Sequence, residues 1–180
     1  MHIFVSDVSV QLKSGETPSA CVRALLTFAA GQVWGIPCPA IEKTALGKPY
    51  FPEHPDRHFS LSHSKTHVLA ALSAFDIGAD IEDIRPVKSA LRDRLFTPEE
   101  QAQFDFFEAW TLREAVFKLK NGQWLRNMRL SKCGGEILTP YPDVHCRVYR
   151  DIAGSVISAA CEAGEFPLKI EIVPASTFLP

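Results

Sequence analysis

The six residues Ile77-Gly78-Ala79-Asp80-Ile81-Glu82 restrict this chain more than any other stretch. Apolar and acidic side chains alternate there, and on a strand successive side chains point to opposite faces. Asp80 and Glu82 therefore share one face, with Ile81 turned away from them. Two carboxylates that close repel each other unless positive charge sits between them. Oxygen-only ligands of this kind suit a hard cation such as Mg²⁺. A fold built round this strand must bring a cation against it.

The chain has 180 residues, enough for one substantial core or two small halves sharing one. With 46% apolar and 22% charged residues it reads as a folded globular protein, not a disordered one. A net charge of −2 offers no global basic field for nucleic acid or an anionic membrane, so an acidic ligand has to be caught locally. The five cysteines (Cys21, Cys38, Cys133, Cys146, Cys161) are scattered and contain no CxxC, which predicts free thiols in a reducing cytosol. The opening MHIFVSDVSVQ lacks the basic and apolar regions of a signal peptide. No apolar run approaches the roughly 20 residues that span a bilayer. These features predict a cytoplasmic protein.

Along the chain, Ile3 to Val10 reads as a first strand and Lys13 to Pro18 as a turn. Ser19 is the expected cap of a helix from Ala20 to about Gln32, with Val22, Leu25, Leu26 and Phe28 buried and Gly31, Gly35, Pro37 and Pro39 ending it. Phe59 to Ser62 and His67 to Ala74 read as strands. Thr97-Pro98-Glu99-Glu100 is a helix-start signature. The segment from about Asp105 to Lys120 predicts the longest helix, stopped at Asn121-Gly122. Short β-type runs follow at His145 to Tyr149, Val156 to Cys161 and Leu168 to Val173. The expected class is α+β: two pseudo-symmetric subdomains, 1–75 and 76–180, each a helix on a small mainly antiparallel sheet, with the site in the cleft between them.

On the long helix, Trp110 and Lys118 lie four residues either side of Glu114 and share its face. A solvated Glu–Lys pair is the plain reading. The functional reading is that Glu114 completes a metal site with Asp80 and Glu82 while Lys118 reaches a phosphate. Ser62-His63-Ser64 after a strand offers hydroxyl, imidazole and backbone N–H groups to an anion, or is simply a polar turn. Gly47-Lys48-Pro49 alone is an ordinary turn. His54, His58, His63 and His67 recur at near-regular spacing, but Pro52 and Pro55 oppose the helix on which i,i+4 histidines chelate zinc.

Taken in order, GKPYFPEHPDRHFSLSHS, IGADIEDIRP, RLFTPEE and FFEAWTLREAVFKLKNG resemble the successive motifs of the surfactin-type phosphopantetheinyl transferases, from Gly47 to Gly122. VISAACEAGEFPLKIEIV is similar to that family's closing strands. The resemblance implies Mg²⁺-dependent transfer of the phosphopantetheine arm of coenzyme A to a serine of an acyl, peptidyl or aryl carrier protein, with release of adenosine 3′,5′-bisphosphate. It implies Asp80, Glu82 and Glu114 as metal ligands, and Glu114 and Lys118 as catalytic residues. It places Ser62 and His63 at the 3′-phosphate, Lys48 at the adenine end and Lys118 at the diphosphate. It implies a monomer serving fatty-acid, polyketide or nonribosomal-peptide carriers.

The chain departs from the family pattern in its short N-terminal region, where Lys13 to Pro18 replaces a longer segment carrying basic residues and only Arg23 matches a family arginine. Lys65 follows the SHS where glycine is common, and Arg113 replaces the lysine before Glu114. A relative that binds coenzyme A or a carrier without turnover is the alternative expectation.

Overall fold

Elements arise where the alternation and the caps direct them. In the computed structural model, which describes residues 1–37, 39–121 and 128–179, the order begins with β1 (His2–Asp7), α1 (Ser9–Lys13), α2 (Pro18–Trp34), β2 (Glu42–Lys43), β3 (Pro49–Tyr50), β4 (His58–His63) and β5 (His67–Ser73). It continues with β6 (Ile77–Asp83), α3 (Ser89–Leu95), α4 (Pro98–Gln103) and α5 (Phe106–Leu119). It closes with β7 (Ser131–Cys133), β8 (Glu136–Leu138), β9 (His145–Tyr149), β10 (Ser155–Cys161), β11 (Glu171–Ile172) and a 3₁₀ turn at Ala175–Thr177. The class is α+β, as expected. Cys38 and Gly122, both named in the sequence reading, lie outside the described residues.

Two sheets organise the molecule. The first has the order β11-β1-β5-β4 and the second β6-β10-β9. Neighbours in both run antiparallel except β11, which pairs parallel to β1 through Phe4↔Glu171 and Val5↔Ile172. Thus a strand from the far end of the chain completes the sheet of the first. The expected closing strand from Leu168 shrinks to Glu171–Ile172 because Leu168 is almost wholly exposed and finds no sheet to cover.

The period of two sorts each strand between layers. From β1, Phe4 faces α2, while Ile3 and Val5 face the space between the sheets. From β5, Val68, Ala70 and Leu72 pack under α2, and Leu69 and Ala71 enter the centre. From β6, Ile77, Ala79 and Ile81 fill the centre, which turns Gly78, Asp80 and Glu82 towards α5. Beneath α5, Leu112, Val116 and Leu119 pack on Val156 and Ala160 of β10. The result is helix, sheet, sheet, helix with three apolar layers.

Local chemistry sets the boundaries, with three shifts from expectation. Thr17, not Ser19, caps α2: its hydroxyl accepts from the Ala20 amide at 3.2 Å, and Pro18 sits at the first helical position. Gly31 continues the helix, and Gly35, with φ 66°, ends it in the left-handed region that glycine tolerates. The first strand stops at Asp7, whose carboxylate accepts from the Ser9 amide at 2.8 Å and turns the chain into α1. Thr97 and Glu100 form the reciprocal capping box of α4. Asp105 caps α5 through the Glu108 amide at 2.8 Å.

The two sheets meet edge to edge at β4 and β6 without a main-chain ladder. Ser60 Oγ accepts from the Ala79 amide at 2.9 Å, and Ser62 Oγ donates to Asp80 Oδ1 at 2.6 Å. Ser62 Oγ also accepts from the Ile81 amide at 3.5 Å, so two buried serines take amide protons across this seam as backbone carbonyls do inside a sheet.

Candidate active site

The site grows from β6 and α5, which lie face to face because Gly78 lets them. A Cβ on Gly78 would stand 1.9 Å from the Ala115 carbonyl oxygen and 2.6 Å from the Leu119 nitrogen. With no side chain there, the helix sits directly on the strand, and Asp80, two residues on, comes under the same helix face. Thr111, Ala115 and Lys118 turn towards the sheet at helical spacing; the Thr111 and Ser158 hydroxyls bond at 2.7 Å to anchor one end.

Asp80 is buried, and its Oδ1 accepts from both Lys118 Nζ at 2.8 Å and the Ser62 hydroxyl. Lys118 also donates to the Ala79 carbonyl at 3.0 Å. Glu82 accepts from Arg85 at 2.7 Å. Glu114 is half-buried on α5, and its carboxyl is held above the ordinary glutamate range. Burial is the largest cause; the Asp80 charge adds to it, Lys118 opposes it, and Glu82 adds again. The three acids thus share one electrostatic neighbourhood, in which Lys118 is bonded to Asp80. Among the described residues, no three His, Cys, Asp or Glu side chains are gathered tightly enough to hold a metal ion as they stand.

The remaining sequence-named residues border the same region. Lys48 pairs with Asp76 and donates to the Leu119 carbonyl at 3.4 Å, so it ties its loop to the end of α5. A cavity of about 200 Å³ runs between that loop (Leu46 to Pro49), the middle of β4, and Phe117 and Lys118 of α5. Ser62 turns inward to Asp80, whereas His63 is exposed and lines a wider groove of about 640 Å³ together with Glu82. Of the four regularly spaced histidines, His67 bonds to Asp83 at 3.1 Å and His58 stands 3.8 Å from Asp76.

Sequence reasoning missed Asp76, Asp83, Thr66 and Ser60, all of which link separate elements. Asp83 alone had a signal, as a third acid in the Asp80-Ile81-Glu82-Asp83 run. The alternation sends it to the opposite face from Glu82, where its partners come from β5 and β10.

The site thus joins a glycine-tight strand with two acids, Asp80 and Glu82, to a helix acid and a lysine one turn apart, Glu114 and Lys118. Residues 76–133 match the model of the 4′-phosphopantetheinyl transferase superfamily. Among curated relatives, the 4′-phosphopantetheinyl transferase psf-1 of Bacillus pumilus is 33% identical over 109 residues, covering 54% of this chain and 47% of that protein. The 4′-phosphopantetheinyl transferase Sfp of Bacillus subtilis (strain 168) is 30% identical over 147 residues, 71% of this chain and 65% of that one. The 4′-phosphopantetheinyl transferase gsp of Aneurinibacillus migulanus is 34% identical over 99 residues, 48% and 41% respectively. The chain therefore spans between 41% and 65% of the length of these relatives. No described helix is long and apolar enough to cross a membrane.

Proposed function

We propose that this protein is a monomeric, cytoplasmic, Mg²⁺-dependent phosphopantetheinyl transferase that modifies a serine of an acyl, peptidyl or aryl carrier protein, with 1–75 and 76–180 as its two halves. The observation that carries the reading is the Glu114 carboxyl, pushed up by burial and by Asp80 and Glu82 beside a lysine that spans to Asp80. A carboxyl raised in this way is a stronger proton acceptor than an ordinary glutamate.

The donor chemistry fits a hard divalent ion, with three carboxylates and no sulfur or imidazole among them. Asp80, Glu82 and Glu114 would hold it, with Lys118 and Arg85 giving up the carboxylates they now neutralise. When bound, Mg²⁺ neutralises the diphosphate of coenzyme A and the charge that develops on the departing phosphate. Lys118, released towards the cavity, places a positive charge on the same diphosphate. Lys48 and Pro49 flank the nucleotide end, and His63 at the groove mouth meets the 3′-phosphate. Ser62, bonded to Asp80, orients that carboxylate.

The carrier serine oxygen forms a bond to the pantetheine-side phosphorus as the bond to the bridging diphosphate oxygen breaks. Its proton passes to Glu114, directly or through water, and adenosine 3′,5′-bisphosphate leaves. Incubation with fluorescent coenzyme A, Mg²⁺ and a panel of apo carrier proteins tests this. The expected outcome is a labelled carrier with the wild type and none with Glu114→Ala at unchanged fold. Coenzyme A binding without label on any carrier supports a non-catalytic binding protein instead.

A further inference from the structure

We propose that Thr66, His67 and Asp83 form a positioning set that fixes the distance between the turn carrying His63 and the strand end carrying Glu82. The proposal rests on the transferase reading in one respect: the ligand gripped across that distance is the phosphate-bearing end of coenzyme A.

One carboxylate collects donors from three elements. Asp83 Oδ2 accepts from the Thr66 amide at 3.0 Å and the Thr66 hydroxyl at 2.9 Å. Its Oδ1 accepts from His67 Nδ1 at 3.1 Å and from the Ser155 hydroxyl at 3.0 Å. Thr66 and His67 lie at the β4–β5 turn of the first sheet; Asp83 ends β6 and Ser155 opens β10 in the second. An ionised carboxylate only accepts, so His67 carries its proton on Nδ1. The other charged groups around the set are Asp7 of β1, paired in register with His67, and Arg85, which donates to the Asp83 carbonyl at 3.0 Å.

The turn itself is closed. The Ser64 amide donates to the His67 carbonyl at 2.8 Å, and Ser64 Oγ accepts from the His67 amide at 3.0 Å. His63 therefore hangs from a rigid turn whose far end is bonded to Asp83. Glu82 immediately precedes Asp83 and points the other way along the strand. Neither side chain moves far unless these bonds break, and both line the groove of about 640 Å³ with Lys65 and Arg85. His63, Lys65 and Arg85 face a common groove with Glu82, a set suited to a ligand that brings phosphate, and the mutually bonded His67 and Asp83 form part of the same wall. The spacing of His63 and Glu82 is set by Asp83, which is itself occupied by its four donors.

The test uses two substitutions at one position. His67→Phe removes the donor and keeps a ring, whereas His67→Asn places an amide nitrogen where Nδ1 stands. Coenzyme A binding is measured by calorimetry on the whole protein without carrier. Loss of one charge-assisted hydrogen bond corresponds to about a tenfold weaker dissociation constant in His67→Phe. His67→Asn keeps the wild-type value, and the carrier KM is unchanged in both. Should His67→Phe fail to fold, Thr66→Val, which removes only the hydroxyl, carries the same expectation at about threefold. If Phe and Asn behave alike, or if both substrates' KM values and the melting temperature shift together, the set is a structural tie only and the inference falls. A wild type that binds coenzyme A but labels no carrier overturns the transferase reading and leaves the binding comparison standing. A wild type that does not bind coenzyme A overturns both.

Discussion

Arg113 and Glu114 are neighbours on α5, yet they belong to two acidic environments of opposite character. On one flank, Glu100 is buried against Arg113: the guanidinium reaches its Oε1 at 2.6 Å, the Leu130 amide reaches the same oxygen at 3.1 Å, and the Thr97 amide reaches Oε2 at 2.9 Å. Burial alone would raise that carboxyl, but these donors outweigh it and hold it below the ordinary glutamate range. On the other flank, burial raises Glu114 and two like charges raise it further, with Lys118 only partly opposing them. One helix, α5, thus grips a carboxylate at rest on α4 and carries a carboxylate under strain of its own. The first holds α4 to α5; the second is where chemistry has something to gain, since perturbed acids gather at functional sites.

Removing Arg113 should break the resting side most severely. Arg113→Met leaves Glu100 as an unpaired buried charge and takes the guanidinium from over the Phe96 ring, a loss of about 3–5 kcal/mol in urea unfolding. A loss below about 1 kcal/mol would mean that the pair is not what fastens α4. Gly78→Ala attacks the strained side through geometry: the added methyl meets the α5 backbone, so the helix must lift, at a cost of roughly 1–3 kcal/mol. Carrier labelling should fall more steeply than stability, because Glu114 and Lys118 ride on that helix. Wild-type labelling in a stable Gly78→Ala protein would detach catalysis from this contact.

The third outcome has the opposite sign. Glu114→Gln relieves the strained carboxylate and should raise stability by about 1 kcal/mol at pH 7 while abolishing transfer. The sign reverses between the two acids with pH. Glu114's folded value lies above its unfolded one, so its penalty is complete above the folded value and gone once pH falls below about 4.3. The advantage of Gln should vanish over that fall in pH. Glu100's folded value lies below its unfolded one, so its contribution is complete above about 4.3 and is lost as pH falls through the folded value. Urea midpoints from pH 8 to pH 3 measure both, and parallel curves for wild type and Glu114→Gln would sink the contrast. The smallest effect belongs to Arg150→Ala on the surface near Asp105 and Glu108, which should change stability by less than about 1 kcal/mol.

What the sequence disclosed follows the reach of each interaction. Alternation placed Asp80 and Glu82 on one side of β6, because that depends only on the strand's own pleat. Helical spacing placed Glu114 and Lys118 on one face of α5 for the same reason. The capping signal at Thr97 was legible because cap and amide lie three residues apart. The serine seam, the Lys48–Asp76 pair and the Asp83 set were not, since their partners arrive from different strands or loops. The helix α3 has no buried residue and so wrote no apolar stripe into the sequence. Ser62 was readable as polar, but its attachment to Asp80 required knowing that β4 and β6 are neighbours.

That neighbourhood has a consequence for the molecule in solution. An exposed sheet margin invites strands from other molecules, and here two such margins are turned on each other. Each shields the other from recruitment. The closure rests on the Ser60 and Ser62 hydroxyls, the donors gathered on Asp83 and the apolar layer between the sheets, and not on a run of peptide hydrogen bonds that a foreign strand could copy.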